Sequence, residues 1–145
     1  MHRHTRILRD IITLLALALA LTGSALAAVS VVASSAGNFN ITPGVAVTNQ
    51  SIGSVVINAD LTSYDVTLRD DNSGVLKSGA NSMSYTVSYN GAAAVSLTTT
   101  PLSVETGATV VNGARALTIF VPANASVGIP AGVYTATITI ELLAV

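Results

Sequence analysis

The sequence predicts an all-β fold, an antiparallel β-sandwich of about seven to eight strands after an N-terminal signal peptide. Apolar residues alternate with Ser and Thr over several short segments, and Gly, Asn, Asp and Pro separate these segments. No apolar stripe of helical period follows the N-terminal region. A barrel is the alternative architecture. We favour a sandwich because four Tyr and two Phe are the only aromatic residues, so aliphatic side chains must fill a thin core.

The N-terminal region has the three parts of a secretory signal peptide. Its arginines are Arg3, Arg6 and Arg9. The apolar run 11–21 follows, and at about eleven residues it is too short for a stable bilayer span. An A-x-A site at 25–27 completes the pattern, so we expect cleavage after Ala27 and no membrane span in the mature chain. The protein is then secreted or displayed on the cell surface, with the periplasm in transit if the cell is Gram-negative. Asp10 favours the alternative, a retained N-terminal anchor helix.

Composition excludes most catalytic chemistry in the part after residue 27. The chain has no cysteine, which excludes disulfides, thiolate metal sites and a cysteine nucleophile. Both histidines, His2 and His4, precede the cleavage site, so no imidazole base or zinc ligand remains. A two-carboxylate glycosidase is formally open, but few aromatic residues are available to line a sugar cleft. We therefore expect no enzyme activity and no cofactor.

The charge of the mature part is low and slightly negative. Its basic residues are Arg69, Lys77 and Arg115, and its acidic residues are Asp60, Asp65, Asp70, Asp71, Glu105 and Glu141. This balance provides no basic patch, so nucleic acid is excluded as a partner.

The first strands of the mature part are short. A weak strand is predicted near 29–32, and two more at 45–47 and 55–57 with a turn at 49–51 between them. Residues 64–69 then alternate clearly between apolar and polar types. This alternation predicts a strand with one buried face.

The middle of the chain predicts hairpins. A turn at 70–74 leads to a short strand at 75–76, and a second turn at 78–81 follows. Residues 82–89 form the next alternating strand. Asn90 and Gly91 then form the strongest short hairpin signal in the sequence, because both tolerate positive φ. Val95 and Leu97 continue beyond the turn.

The last two strands are the most regular. Residues 117–121 alternate until Pro122, which lacks an N–H and ends the ladder. A Pro-Ala-Gly turn at 130–132 precedes the C-terminal strand, predicted over 133–143. One face of that strand is apolar and the other carries Thr and Glu. The apolar face consists of Tyr134, Ala136, Ile138, Ile140 and Leu142.

Three local patterns have simple structural explanations. The segment 70–74 offers oxygen ligands for Ca²⁺, but Asp and Asn that cap their own turn explain it better. The four tyrosines share the phase of aliphatic neighbours, which favours core packing over a ligand-stacking patch. The N-x-S/T matches at Asn40, Asn49 and Asn124 are expected by chance in a chain rich in Ser and Thr.

The outward strand faces favour association with other chains. They carry Ser, Thr and Ala, and Lys77 is the chain's single lysine, although lysine is a common guard of edge strands. We therefore expect self-association or association with related subunits. The alternative is a monomer whose edges are blunted by prolines. These prolines are Pro43, Pro101, Pro122 and Pro130.

The strand motifs resemble a family of secreted pilin-type domains. The segments are 131–140 with its Gly-Val-Tyr start, 64–68 before an Asp/Asn/Gly turn, and 84–87 with the turn at 90–91. They are similar to spore coat protein U-like subunits and archaic chaperone–usher pilins. The resemblance implies an Ig-like sandwich. It also implies polymerisation in which an N-terminal segment of one subunit completes the groove of the next, with a periplasmic chaperone and an usher as partners.

The sequence thus predicts a signal peptide at 1–27, a donor strand at 28–36 and a sandwich at 37–145. The donor side chains would be Val29, Val31 and Ala33, and the groove wall would be Tyr134, Ile138, Ile140 and Leu142. The predicted function is an exported structural cell-surface or fimbrial subunit. The alternative is a monomeric adhesive or carbohydrate-binding module, whose candidate ligand residues are Phe39, Asn40 and the 70–74 turn.

Overall fold

β-strands dominate the chain. The structure, a computed structural model, describes residues 11–12, 30–33, 39–58, 63–108 and 113–144, and this part contains no α-helix. The all-β prediction is confirmed. The strands are β1 (Ile11–Ile12), β2 (Ser30–Ala33), β3 (Phe39–Asn40), β4 (Val47–Asn58), β5 (Tyr64–Asp70), β6 (Val75–Ser78), β7 (Asn81–Ser84), β8 (Thr86–Tyr89), β9 (Leu102–Ala108), β10 (Gly113–Val121) and β11 (Ile138–Ala144). A short 3-10 helix, Ala123–Ser126, separates β10 from β11. None of the described helical segments has the length and apolar character that a membrane crossing requires.

Two antiparallel sheets form the body of the fold. One has the strand order β2-β4-β10-β8, and the other has the order β11-β5-β9. Two smaller pairings, β6-β7 and β1-β3, accompany them. All these pairings are antiparallel, and β6 and β7 alone among the described pairs follow each other directly along the chain.

Residues 81–89 take part in two different sheets. β7 pairs with β6, whereas β8, which follows after Tyr85, pairs with β10 in the four-stranded sheet. β6 in turn is linked to the chain before β11 by a bridge between Lys77 and Thr135. The predicted strand 82–89 is therefore divided at Tyr85 into two strands that have different partners.

Buried side chains from both large sheets belong to one hydrophobic cluster. Its fully buried members include Val55 and Ile57 from β4, Val66 and Leu68 from β5, and Ile140 from β11. The tyrosines pack there too, which confirms the prediction that they belong to the core. The four are Tyr64, Tyr85, Tyr89 and Tyr134.

Two predicted turns have the expected geometry. Asn90 and Gly91 both have positive φ, and the N–H of Ala92 donates to the carbonyl of Tyr89, as in a type I′ turn. At the other turn, the buried Asp70 carboxylate accepts hydrogen bonds from the N–H groups of Asn72 at 2.9 Å and Gly74 at 2.7 Å. The Asp70 side chain thus caps its own turn, as predicted.

The turn predicted at 49–51 is wrong. β4 is one strand of 12 residues, and its register against β10 shifts twice, so the irregular positions are β-bulges. Asn49, with φ of 50°, lies at one of them. An Asn that tolerates the left-handed region suits a bulge as well as a turn, and local sequence does not distinguish the two.

Two further boundaries differ from expectation. No strand was predicted at β9. Its apolar alternation consists of Leu102 and Val104 alone, and a charged residue, Glu105, occupies the next position on its core-facing side. The C-terminal strand begins at Ile138 rather than at residue 133. The earlier residues take part through the single bridge at Thr135.

Candidate functional site

The predicted donor segment forms an edge strand of its own chain. β2 is the outermost strand of the four-stranded sheet and pairs with β4 alone. Its register places Val31 opposite Ile57 and Ala33 opposite Val55. Val29 lies outside the described residues.

This register sets the face on which the β2 positions lie. Directly opposed residues of antiparallel strands share a face, and Val55 and Ile57 are both fully buried in the core. Positions 31 and 33 are therefore on the core face of the sheet, while position 32, opposite Val56, is on the outer face. The alternation from which a donor strand is predicted therefore agrees with the structure, because positions 31 and 33 both lie on the core face of β2.

Sequence reasoning missed that β4 supplies the pairing edge. Val55 and Ile57 were recognised as an alternating strand, but no local signal identifies which strand an N-terminal segment pairs with. Strand order depends on contacts between residues far apart in sequence, whereas alternation reports only on burial. The structure pairs β2 with β4 and does not pair it with β11.

The predicted groove wall lies on the other sheet. Its four side chains are buried in the core of their own chain: Tyr134, Ile138, Ile140 and Leu142. β11 pairs with β5 and is an edge of its sheet. The Tyr134 hydroxyl donates a 2.8 Å hydrogen bond to the carbonyl of Pro130, four residues earlier, which fixes the corner where the chain enters this strand.

Side-chain contacts between the two large sheets show which edge strand of one sheet lies next to which edge strand of the other. The Tyr89 hydroxyl of β8 and the Arg115 guanidinium of β10 both donate to Glu105 of β9, and Arg115 also contacts the Tyr64 hydroxyl of β5. β9 therefore lies beside β8 and β10. Given the two strand orders, β11 lies on the side of β2 and β4.

The Glu105 cluster is the most connected polar group among the described residues. Glu105 accepts from Tyr89 at 2.7 Å and from two nitrogens of Arg115 at 2.9 and 3.2 Å. Arg115, 8% exposed, also donates to the carbonyl of Gly113. These bonds satisfy a charge that would be costly to bury alone, so the cluster joins the two sheets.

The cluster shifts the pKa values of its members. Hydrogen bonding from Arg115 is the main cause that lowers the pKa of Glu105, although burial opposes it. The same bond raises the pKa of Arg115, and burial raises the pKa of Tyr89 and of Tyr64. Every group therefore keeps at neutral pH the protonation state in which it bonds, as a structural ion pair requires.

The other candidate positions form no chemical site within the described part of the chain. No group of three or more acidic or His residues there is placed to hold a metal ion. Phe39 is buried in the core, so it is not available as an exposed ligand residue. Asn40 is exposed beside it in β3, which pairs with β1. Asn49 and Asn124 are exposed as well.

The signal-peptide prediction falls mostly outside the described residues. Residues 1–10 and 13–29, which include the arginines and the cleavage site, are not described. Within the predicted signal peptide, the backbone of Ile11–Ile12 pairs with Phe39–Asn40.

Comparison of the chain with models of protein families found no match, and comparison with curated proteins found none.

Proposed function

We propose that this protein is an exported structural subunit of the cell surface or of a fimbria, built as an Ig-like β-sandwich, and that copies assemble by strand complementation. Two observations support the sandwich: both large sheets contribute to one core, and a tyrosine corner at Tyr134 precedes the last strand. A periplasmic chaperone and an usher are partners consistent with this mode of assembly.

The position of β2 carries the proposal. This four-residue strand lies near the N-terminus, at the edge of a sheet, and pairs with β4 alone. An edge strand held mainly by backbone hydrogen bonds can be replaced by the same strand of another copy, because the second copy offers identical bonds. Exchange conserves every pairing and changes only which chain supplies it.

The β4 edge would act as the acceptor in such an exchange. Without β2, the backbone from Val55 to Asn58 would present unpaired N–H and C=O groups next to fully buried Val55 and Ile57. An open edge of this kind is a template for an incoming strand. The pleat gives the exchange its register, since a slip of one residue would move positions 31 and 33 from the core face to the outer face.

The first test removes the donor. Deletion of residues 28–36 should abolish high-molecular-weight ladders, measured by gel electrophoresis without boiling, and leave a β-type circular dichroism spectrum. Unchanged ladders in the deletion variant would contradict the proposal.

The second test returns the donor as a separate molecule. A fluorescent peptide of residues 28–36 should bind the deletion variant, measured by fluorescence anisotropy. A peptide with Val31→Asp should bind much more weakly, because the charge would lie on the core face. The matched control is Val32→Asp, which places the same charge on the outer face and should bind nearly as well as the natural peptide. Equal binding by both altered peptides would argue against the assigned register.

A further inference from the structure

The turn that follows β8 holds an Asn-Gly pair, and both residues are exposed. Asn90 has φ of 50° and Gly91 has φ of 76°. The main-chain N–H of Asn90 donates to the carbonyl of Ala116 at 2.8 Å. Within the described residues, neither the Gly91 N–H nor the side-chain amide of Asn90 makes a hydrogen bond. Both groups are therefore free to react.

A side-chain amide next to a free main-chain nitrogen can close a ring. The Gly91 nitrogen, after a base has taken its proton, attacks the side-chain carbonyl carbon Cγ of Asn90. A bond forms between this nitrogen and Cγ, the Cγ–Nδ2 bond breaks, and Nδ2 leaves as ammonia with a proton from the solvent. Water then opens the succinimide at either ring carbonyl and gives aspartate or isoaspartate at position 90. A glycine in the second position favours ring closure, because it has no side chain to hinder the approach.

The structure distinguishes Asn90 from the other asparagines that it describes. After Asn72, the next main-chain N–H donates to the carbonyl of Asp70 at 3.1 Å, and after Asn124 the next N–H donates to the carbonyl of Pro122 at 3.0 Å. Each of these nitrogens would have to give up its hydrogen bond before it could attack. Further asparagines precede a residue with a side chain, which hinders the approach: Asn40, Asn49 and Asn81.

We infer that Asn90 is a site of spontaneous deamidation, where the folded chain reacts with itself to form isoaspartate and aspartate. The reaction consumes water alone and releases ammonia. β8 has four residues and is the last strand of its sheet, so the turn at its end opens more easily than the sheet interior. Such opening lets the Gly91 nitrogen reach Cγ. The site is independent of the proposed strand exchange, which involves β2 and β4.

The isoaspartate product would alter the sheet as well as the charge. It adds one methylene group to the main chain, inside a turn held by two hydrogen bonds. These bonds join the N–H of Asn90 to the carbonyl of Ala116 and the N–H of Ala92 to the carbonyl of Tyr89, at 2.8 and 2.9 Å. The longer main chain displaces their donors, which weakens the pairing of β8 with β10 where Tyr89 lies opposite Leu117. The aspartate product keeps the main chain and adds only a negative charge.

Incubation of the natural protein at pH 8 and at pH 6 tests the site. Peptide mapping by mass spectrometry should show a gain of one mass unit at Asn90, faster at pH 8 because more main-chain amides lose their proton. Conversion at Asn72 and Asn124 should be slower by about tenfold or more. Fragmentation assigns the position, because Asn81 and Asn112 lie in the same tryptic peptide. Equal rates at Asn90, Asn72 and Asn124, or an unchanged Asn90, would overturn the inference.

Two glycine variants separate the chemistry from a general effect on stability. Gly91→Ala places a methyl group beside the attacking nitrogen and should slow conversion of Asn90 by about tenfold. Gly79→Ala is the matched control, because Gly79 also lies in a turn with positive φ, 58°, and an added Cβ at either glycine would meet no atom within 4 Å. This variant should convert at the natural rate. Equal slowing by both variants, or none by Gly91→Ala, would exclude ring closure through the Gly91 nitrogen.

Discussion

Replacement of Glu105 with Gln should destabilise the fold by about 2 kcal/mol at neutral pH. The carboxylate accepts three hydrogen bonds from Tyr89 and Arg115, and Glu105→Gln would leave the Arg115 charge, 8% exposed, without its counter-ion. Loss of one partner from a fully buried ion pair costs about 3–5 kcal/mol. We expect less because the Glu105 side chain is 23% exposed and water screens the remaining charge.

The effect should depend on pH in a defined direction. Hydrogen bonding from Arg115 lowers the pKa of Glu105 in the folded protein. The stability that this carboxylate contributes is therefore fully present above its unfolded pKa of about 4.3 and is lost as the pH falls through the lower folded value. The difference between the natural protein and Glu105→Gln should be constant near neutral pH and should shrink in acid.

Urea unfolding at pH 7 and at several values below pH 4 measures this difference. The matched control is Glu141→Gln, which removes an ion pair with Arg69 on the exposed outer face and should cost about 0.5 kcal/mol. A loss as small for Glu105→Gln as for the control, or a loss that does not change with pH, would refute the assignment of Glu105 as a charge that joins the sheets.

Two pairs of substitutions test the local geometry by thermal unfolding. Gly74→Ala should cost about 2 kcal/mol or more, because φ is +75° and the new Cβ would lie 2.9 Å from the carbonyl oxygen of Leu97, whereas Gly79→Ala, with φ of +58° and open space, should cost only about 1 kcal/mol. Similar losses at both glycines would be inconsistent with the close approach. Tyr134→Phe should cost about 1 kcal/mol through loss of its hydroxyl bond, whereas Thr139→Val should be neutral or stabilising, because that buried hydroxyl makes no hydrogen bond within the described part. A larger loss at Thr139 than at Tyr134 would contradict both assignments.

The sequence predicts what depends on local alternation and turn chemistry. Residues 64–69 became β5 because apolar and polar types alternate without a break, and the Asn90 and Gly91 turn formed because both residues accept positive φ. The burial of the four tyrosines was predicted because each shares the alternation phase of the aliphatic residues around it. Each of these features is decided by neighbours within a few residues.

Features decided by distant contacts could not be predicted. The strand at Leu102–Ala108 was missed because its inner position is Glu105, which is acceptable there only because Arg115 and Tyr89 approach from the opposite sheet. The pairing of β2 with β4 depends on which edge the folded sheet leaves open. Asn49 looked like a turn residue because a bulge and a turn require the same backbone region.

The proposed assembly depends on whether β2 pairs with β4 of its own chain or of another. Val32→Cys and Val56→Cys, combined in one chain, place two thiols at directly opposed positions on the outer face, and the natural chain adds no competing cysteine. In assembled protein, oxidation should produce a ladder of covalent multimers on a non-reducing denaturing gel, and reduction should collapse it to one band. If all the oxidised protein migrates as a monomer with an internal disulfide, β2 does not leave its own chain and assembly by strand complementation is wrong.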